Sequence, residues 1–287
     1  MSVPATDLTA GLGRPIRGPS AFGGEPRRFV NLTWMLAYTD FKLRFFGSAL
    51  GYLWQLMRPL MLFGVLFVVF NQVLRVGVAV DFYPVVLLAN IVLFTFFSEV
   101  TTSAITAVVD REGLVRKIQF PRLVIPLAIV TRGYLNLLLN LVAVLVFMIA
   151  SGVRFTWQVL EAPLLLLGLG VFAGGCAMIL SALFVRFRDV KPIWEVFAQA
   201  LYFGTPVIYT VETIADRVNF VHLMMANPLA VILTQFRHAV IDPGAPTALQ
   251  AAGGWAWMAI PIAIFVAVIV VGVWYFDREA PRIAEEL

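Results

Sequence analysis

Arg116-Lys117-Ile118-Gln119-Phe120-Pro121-Arg122 lies between two apolar runs, each long enough to cross a bilayer. A cationic loop in that position marks the cytoplasmic side of a membrane protein. A basic pair, an apolar turn and a Pro-Arg step describe a short cytoplasmic helix suited to docking on a soluble partner.

The composition agrees with that reading. Of the 287 residues, 61% are apolar and 13% charged, whereas soluble domains run nearer half apolar and a quarter charged. The apolar runs are continuous rather than alternating, so helices are expected and a barrel is not. The predicted class is an all-α polytopic membrane protein. The net charge of +4 would suggest nucleic acid in a soluble chain. Here the cations flank apolar spans, and orientation explains them without a nucleic-acid partner. The single cysteine, Cys176, sits inside an apolar run and reads as packing.

Six transmembrane helices are predicted, at about 52–74, 83–109, 121–150, 157–185, 192–209 and 255–276. Arg75, Arg154, Arg217 and Arg237 then fall outside and Arg132 within the third span. The other sixteen of the 21 Lys and Arg fall inside. That asymmetry predicts a multi-pass protein with both termini cytoplasmic. Residues 1–28 are rich in Pro and Gly with no apolar h-region, and are expected to be a disordered cytoplasmic tail. Residues 29–46 mix Phe29, Leu32, Met35, Leu36, Leu43 and Phe46 with Asp40, Lys42 and Arg44. This pattern suits an amphipathic helix lying in the membrane interface, as an anchor or a moving element. Between spans five and six, 218–226 and 229–240 are apolar but too short to cross. Asn227-Pro228 between them fits a helix start. A short re-entrant pair of external helices is expected, with an ordinary external loop as the alternative.

Enzyme chemistry finds little support. None of Lys42, Lys117 and Lys191 follows a glycine, so no P-loop is present. His222 and His238 lack zinc-ligand spacing, and no G-x-S-x-G elbow occurs. No metal and no cofactor is expected in this chain.

Four blocks recur in order. Asp40-Phe41-Lys42-Leu43-Arg44 runs through Leu50-Gly51-Tyr52-Leu53-Trp54 to Arg58-Pro59-Leu60. Arg116–Arg122 is followed by Pro126. Arg186-Phe187-Arg188-Asp189-Val190 precedes Gly204-Thr205-Pro206-Val207-Ile208-Tyr209. Asn227-Pro228-Leu229 precedes Phe236-Arg237. From residue 29 onward the chain resembles the permease subunits of ABC-2-type transporters, specifically those exporting lipid-linked polysaccharide such as O-antigen, teichoic acid and galactan. The resemblance implies a homodimer in the bacterial cytoplasmic membrane, with two copies of a separate ATPase subunit that binds the ATP and Mg. The substrate would be a lipid-linked glycan. It implies a gate helix at 29–48, a transmembrane domain at 49–287 and a coupling helix at about 110–119. Asp110, Arg111, Glu112, Arg116 and Lys117 would contact the ATPase. Without the resemblance these charges only enforce topology. Arg186, Arg188 and Asp189, in the second inner loop, carry the same two readings.

Glu99 is costly in hydrocarbon and must face protein or water. With Ser98, Thr101, Thr102, Ser103 and Thr106 around it, either a hydrated vestibule or polar helix packing is expected. Arg132 is a possible partner for Glu99, or it snorkels inward. Phe63, Phe67 and Phe70 share one helix face at i, i+4 and i+7; Tyr202, Phe203 and Tyr209 lie on the fifth span. These aromatics are channel-lining candidates on which sugar would stack, against ordinary packing. Gly170 and Gly174 form a G-x-x-x-G pair expected at a close helix crossing. A drug or lipid permease of the same fold is the nearest alternative. A partner-independent secondary carrier or flippase is a further one, though no inverted repeat is evident.

Overall fold

The computed structural model describes residues 26–45, 51–75, 80–113, 120–214 and 216–279. Among these, every regular element is helical. Helix α1 (Pro26–Phe45) opens inside the stretch assigned to the tail, because proline's missing N–H costs nothing in a first turn. Ala37 is fully buried, and Phe29, Leu32 and Leu36 pack on the bundle. The other side exposes Trp34, Met35, Tyr38 and Leu43, with the Trp34 and Tyr38 rings stacked at 6.5 Å. A helix bonded to protein on one side and apolar on the other suits the bilayer interface.

The spanning helices follow the hydrophobic runs. Helix α2 (Gly51–Phe67) continues as a wider turn through Val73. Then come α3 (Tyr83–Ala107), α4 (Val124–Ala150) and, after a tight turn at Trp157–Glu161, α5 (Ala162–Arg186). The last is α10 (Trp255–Glu279). Five stretches, Leu53–Val73, Tyr83–Ala107, Val124–Ala150, Trp157–Arg186 and Trp255–Glu279, are long and apolar enough to cross a membrane. Helix α3 is the axis: it packs on α4 and α5, with α2 and α6 at its flanks.

The fifth expected span is shorter than its apolar run. Helix α6 is Val190–Gly204, 15 residues, or about 22 Å against roughly 30 Å of hydrocarbon. Pro206 is the cause. It disfavours helix for the residue before it, and Thr205 is extended at φ −107° and ψ 146°. The chain continues through α7 (Val218–Met225) and α8 (Pro228–Phe236, with a wider turn to Ile241). These two stretches are bent by 98°, the form expected of a re-entrant pair. Helix α9 (Ala248–Ala252) leads into α10.

The small residues act differently from the expected pair. A Cβ on Gly170 would lie 1.8 Å from the Tyr134 hydroxyl oxygen, so Gly170 makes room for a ring. Gly174 would meet only a Val130 methyl at 3.6 Å. The tight helix crossing is instead between α5 and α10, where a Cβ on Gly272 would lie 2.7 Å from the Gly175 carbonyl oxygen.

Candidate functional site

The polar half of α3 faces the end of the bundle that carries α1. Glu99 forms an ion pair with Arg44 of α1 and accepts a hydrogen bond from Asn136 Nδ2 of α4 at 3.2 Å. Just beyond α3, Arg111 forms an ion pair with Asp40 of α1. The two attachments have opposite polarity, and Asp40 and Arg44 are one helical turn apart, so both lie on one face of α1. The Glu99 side chain is only 17% exposed, so a lone carboxylate here would be costly.

Arg132 is near Glu99 but is not paired with it. It lines a cavity of about 520 Å³ with Asp40, Arg44, Ser103, Asp110 and Arg111. Its Nε is buried without a hydrogen bond, and among the described residues no ion pair to it forms. A second cavity, of about 690 Å³, shares Arg44 and Ser103 with the first. Glu99, Tyr202 and Phe203 meet in its wall, beside Ser98, Thr102, Arg58, Glu195 and Gln199. Phe203 is 59% exposed. Tyr202 lies edge-on to Phe94 at 5.0 Å and to Phe203 at 5.5 Å, and its hydroxyl is buried without a partner. Hydroxyls, amides and charges beside accessible ring faces suit a hydroxyl-rich, ring-shaped ligand.

The other aromatic candidates lie elsewhere. Phe63, Phe67 and Phe70 do share a face, and that face packs on the core. Phe63 is 8% exposed, edge-on to Phe147 of α4 at 5.3 Å and stacked on Phe67 at 5.7 Å. None of the three lines the larger cavity. The Tyr209 hydroxyl donates to the Phe203 carbonyl at 2.8 Å, satisfying the end of α6.

Two motif blocks meet where α6 stops. Thr205, Val207 and Ile208 are buried, and their non-helical backbone finds partners on α3. Asn90 Nδ2 donates to the Pro206 carbonyl at 2.9 Å, and the Tyr83 hydroxyl to that of Ile208 at 2.7 Å. Asn227 joins the blocks: its Nδ2 donates to Thr205 Oγ1 at 2.8 Å, while its Oδ1 caps Leu229 N at 3.0 Å. Irregular backbone at membrane depth is tolerated when it is satisfied in this way. Nearby, the buried Arg237 donates to both Glu212 oxygens at 2.8 Å and to Asp242 at 3.4 Å. Burial pushes the Glu212 carboxyl up, but the Arg237 hydrogen bonds and charge outweigh it and hold the group below the usual carboxylate range.

Of the charges expected at a soluble partner, Arg116 and Lys117 lie outside the described residues. Asp110 accepts from Thr106 Oγ1 at 2.7 Å, and Glu112 continues the same turn. Arg186, Arg188 and Asp189 are exposed between α5 and α6. The guanidinium of Arg186 lies 5.5 Å from the Phe187 ring centre and that of Arg188 5.0 Å from Phe184. Residues 110–112 and 186–189 flank one apolar cluster, in which Val109 packs with Phe184 and Val190. Among the described residues no group of three His, Cys, Asp or Glu could hold a metal ion. Sequence reasoning missed the roles of Asp40, Arg44, Arg58 and Asn136. The i, i+4 spacing of Asp40 and Arg44 was the available signal.

Residues 31–241 match the family described as ABC-2 type transporter. The chain is 28% identical to the O-antigen export system permease protein RfbA of Myxococcus xanthus, over 78% of this chain and 85% of the relative. It is 27% identical to the protein of the same name from Klebsiella pneumoniae, over 86% of this chain and 92% of the relative.

Proposed function

We propose, from the premise that this chain belongs to the ABC-2 type transporter membrane family, that it is the permease subunit of an ATP-driven exporter of lipid-linked polysaccharide. It is a multi-pass membrane protein. As an ABC transporter membrane subunit it works with an ATPase partner. The observation that carries the cargo class is the likeness to O-antigen export permeases across 92% of one relative's length. The cavity between α1, α2, α3 and α6 supports it, because it offers both polar groups and ring faces to a carbohydrate.

The finer reading is a homodimer bound to two ATPase subunits in the bacterial cytoplasmic membrane, with both termini and the α1 end on the cytoplasmic side. ATP and Mg bind the partner. The charges of residues 110–117 and 186–189 receive the ATPase motion there, and the glycan enters from the same side. Glu99, Tyr202 and Phe203 meet it first. Deleting the gene in its host tests this. Surface polysaccharide should fall, lipid-linked glycan should accumulate inside, and the chain with its ATPase should restore export. Undiminished surface glycan in the deletion strain would overturn the reading.

A further inference from the structure

Glu99 has one cation bound and a second close by. Arg44 comes from α1, which is fastened to the bundle partly through this pair. Arg132 comes from α4, a spanning helix, and Asn136 on the same helix already reaches Glu99 at 3.2 Å. Arg132 and Asn136 are one turn apart, so both project from the same side of α4. Arg132 is within electrostatic reach of Glu99, Arg44, Asp40 and Arg111. It borders a cavity that Arg44 also lines, and its Nε is buried without a partner.

We infer that Arg44 and Arg132 are alternative partners of Glu99, and that exchange between them lets α1 leave the bundle. With α1 docked, Arg44 neutralises Glu99 and Arg132 is underused. When α1 lifts, Glu99 would be left as a carboxylate without a cation on a spanning helix, which would oppose the movement. Arg132 removes that opposition by taking over the carboxylate. The exchange preserves one ion pair in each state and so removes the electrostatic part of the cost of moving α1, as a switching element requires. The Asp40–Arg111 pair ties the same helix to the segment that continues toward residues 114–119. Movement of that segment therefore pulls on α1 directly. Arg132 is a positioning residue that acts through Glu99.

The test uses the full chain with its ATPase, Cys176→Ala, and Ser103→Cys as a reporter, since Ser103 borders both cavities. The rate of modification by a small charged methanethiosulfonate measures how far α1 has lifted. Arg44→Gln should speed labelling and Arg132→Gln should slow it, each by about twofold to thirtyfold, the range of local coupling changes. Arg132→Lys should stay near the parent. The decisive comparison is Arg132→Gln with Glu99→Gln added. Without the carboxylate no replacement cation is needed, so labelling should return to the parent rate or exceed it. A purely structural Arg132, or one that binds cargo, predicts no recovery, and that result would overturn the inference. Should Arg132→Gln not reach the membrane, Glu99→Gln alone decides: labelling must be faster than in the parent, and labelling at or below the parent rate refutes the exchange. Labelling reads α1 whatever the cargo, so its failure is distinct from a failure of the polysaccharide reading.

Discussion

At the scale of single residues, burial separates aromatics that sequence spacing treats alike. Phe63 is enclosed by Phe67 and Phe147, whereas Phe203 exposes its ring at the cavity. Phe63→Ala should therefore cost about 3–5 kcal/mol of stability through cavity formation. Phe203→Ala should leave the melting temperature within about 1–2 °C, a surface-like change, and slow export severalfold. Melting and export measured on both variants check this, and the reverse pattern would exchange their roles. The Arg237–Glu212 pair makes a pH prediction. Its carboxyl is lowered in the folded state, so its stabilisation is complete above the ordinary glutamate value of about 4.3 and is lost as pH falls through the lowered value. Arg237→Met should remove that acid-side slope and cost about 1–2 kcal/mol, a figure kept small because Glu212 is 40% exposed. Melting curves of purified protein between about pH 3 and 7, spanning that value, would show it. The partner of Glu99 was hidden in the sequence for a related reason. Arg44 and Glu99 are 55 positions apart, and local spacing cannot say which cation crosses from another helix.

At the scale of helices, the sequence located apolar runs well and their interruptions less well. The runs at 83–109, 121–150 and 255–276 correspond closely to α3, α4 and α10, because continuous apolar sequence leaves the backbone no alternative to intrahelical bonds. The bent pair was legible from Asn227-Pro228, and the asparagine does cap Leu229. Hydropathy carries through Pro206, so it overran α6, whose helix stops at Gly204. The glycine pattern also misdirected the reading: G-x-x-x-G marks spacing along one helix, while a crossing depends on what the other helix presents. Gly272→Ala should destabilise by about 1–3 kcal/mol, since its methyl would press on the backbone of Gly175. Gly174→Ala, at ordinary contact distance from Val130, should be nearly neutral. Melting temperatures of the two variants discriminate them, and equal losses would mean that the α5–α10 crossing is looser than this geometry.

At the scale of the whole molecule, the proposed assembly sets α1 and residues 110–117 and 186–189 against the ATPase. Reversing Arg116 and Lys117 to Glu should uncouple ATP hydrolysis from export while insertion persists, through repulsion at the docking surface. Cysteine labelling must confirm unchanged topology, and normal export in that variant would remove the pair from the coupling contact. Native mass measurement should find two copies of this chain with two ATPase subunits; an active assembly without an ATPase would contradict it. The truncated α6 has a consequence for the membrane itself. A helix of 15 residues cannot match a full bilayer, so lipid beside it must thin or yield to the folded re-entrant pair. A hydrophilic polymer passing along α6 therefore meets a shorter dielectric barrier than along α3 or α4. Its far side is bordered by satisfied peptide groups instead of hydrocarbon.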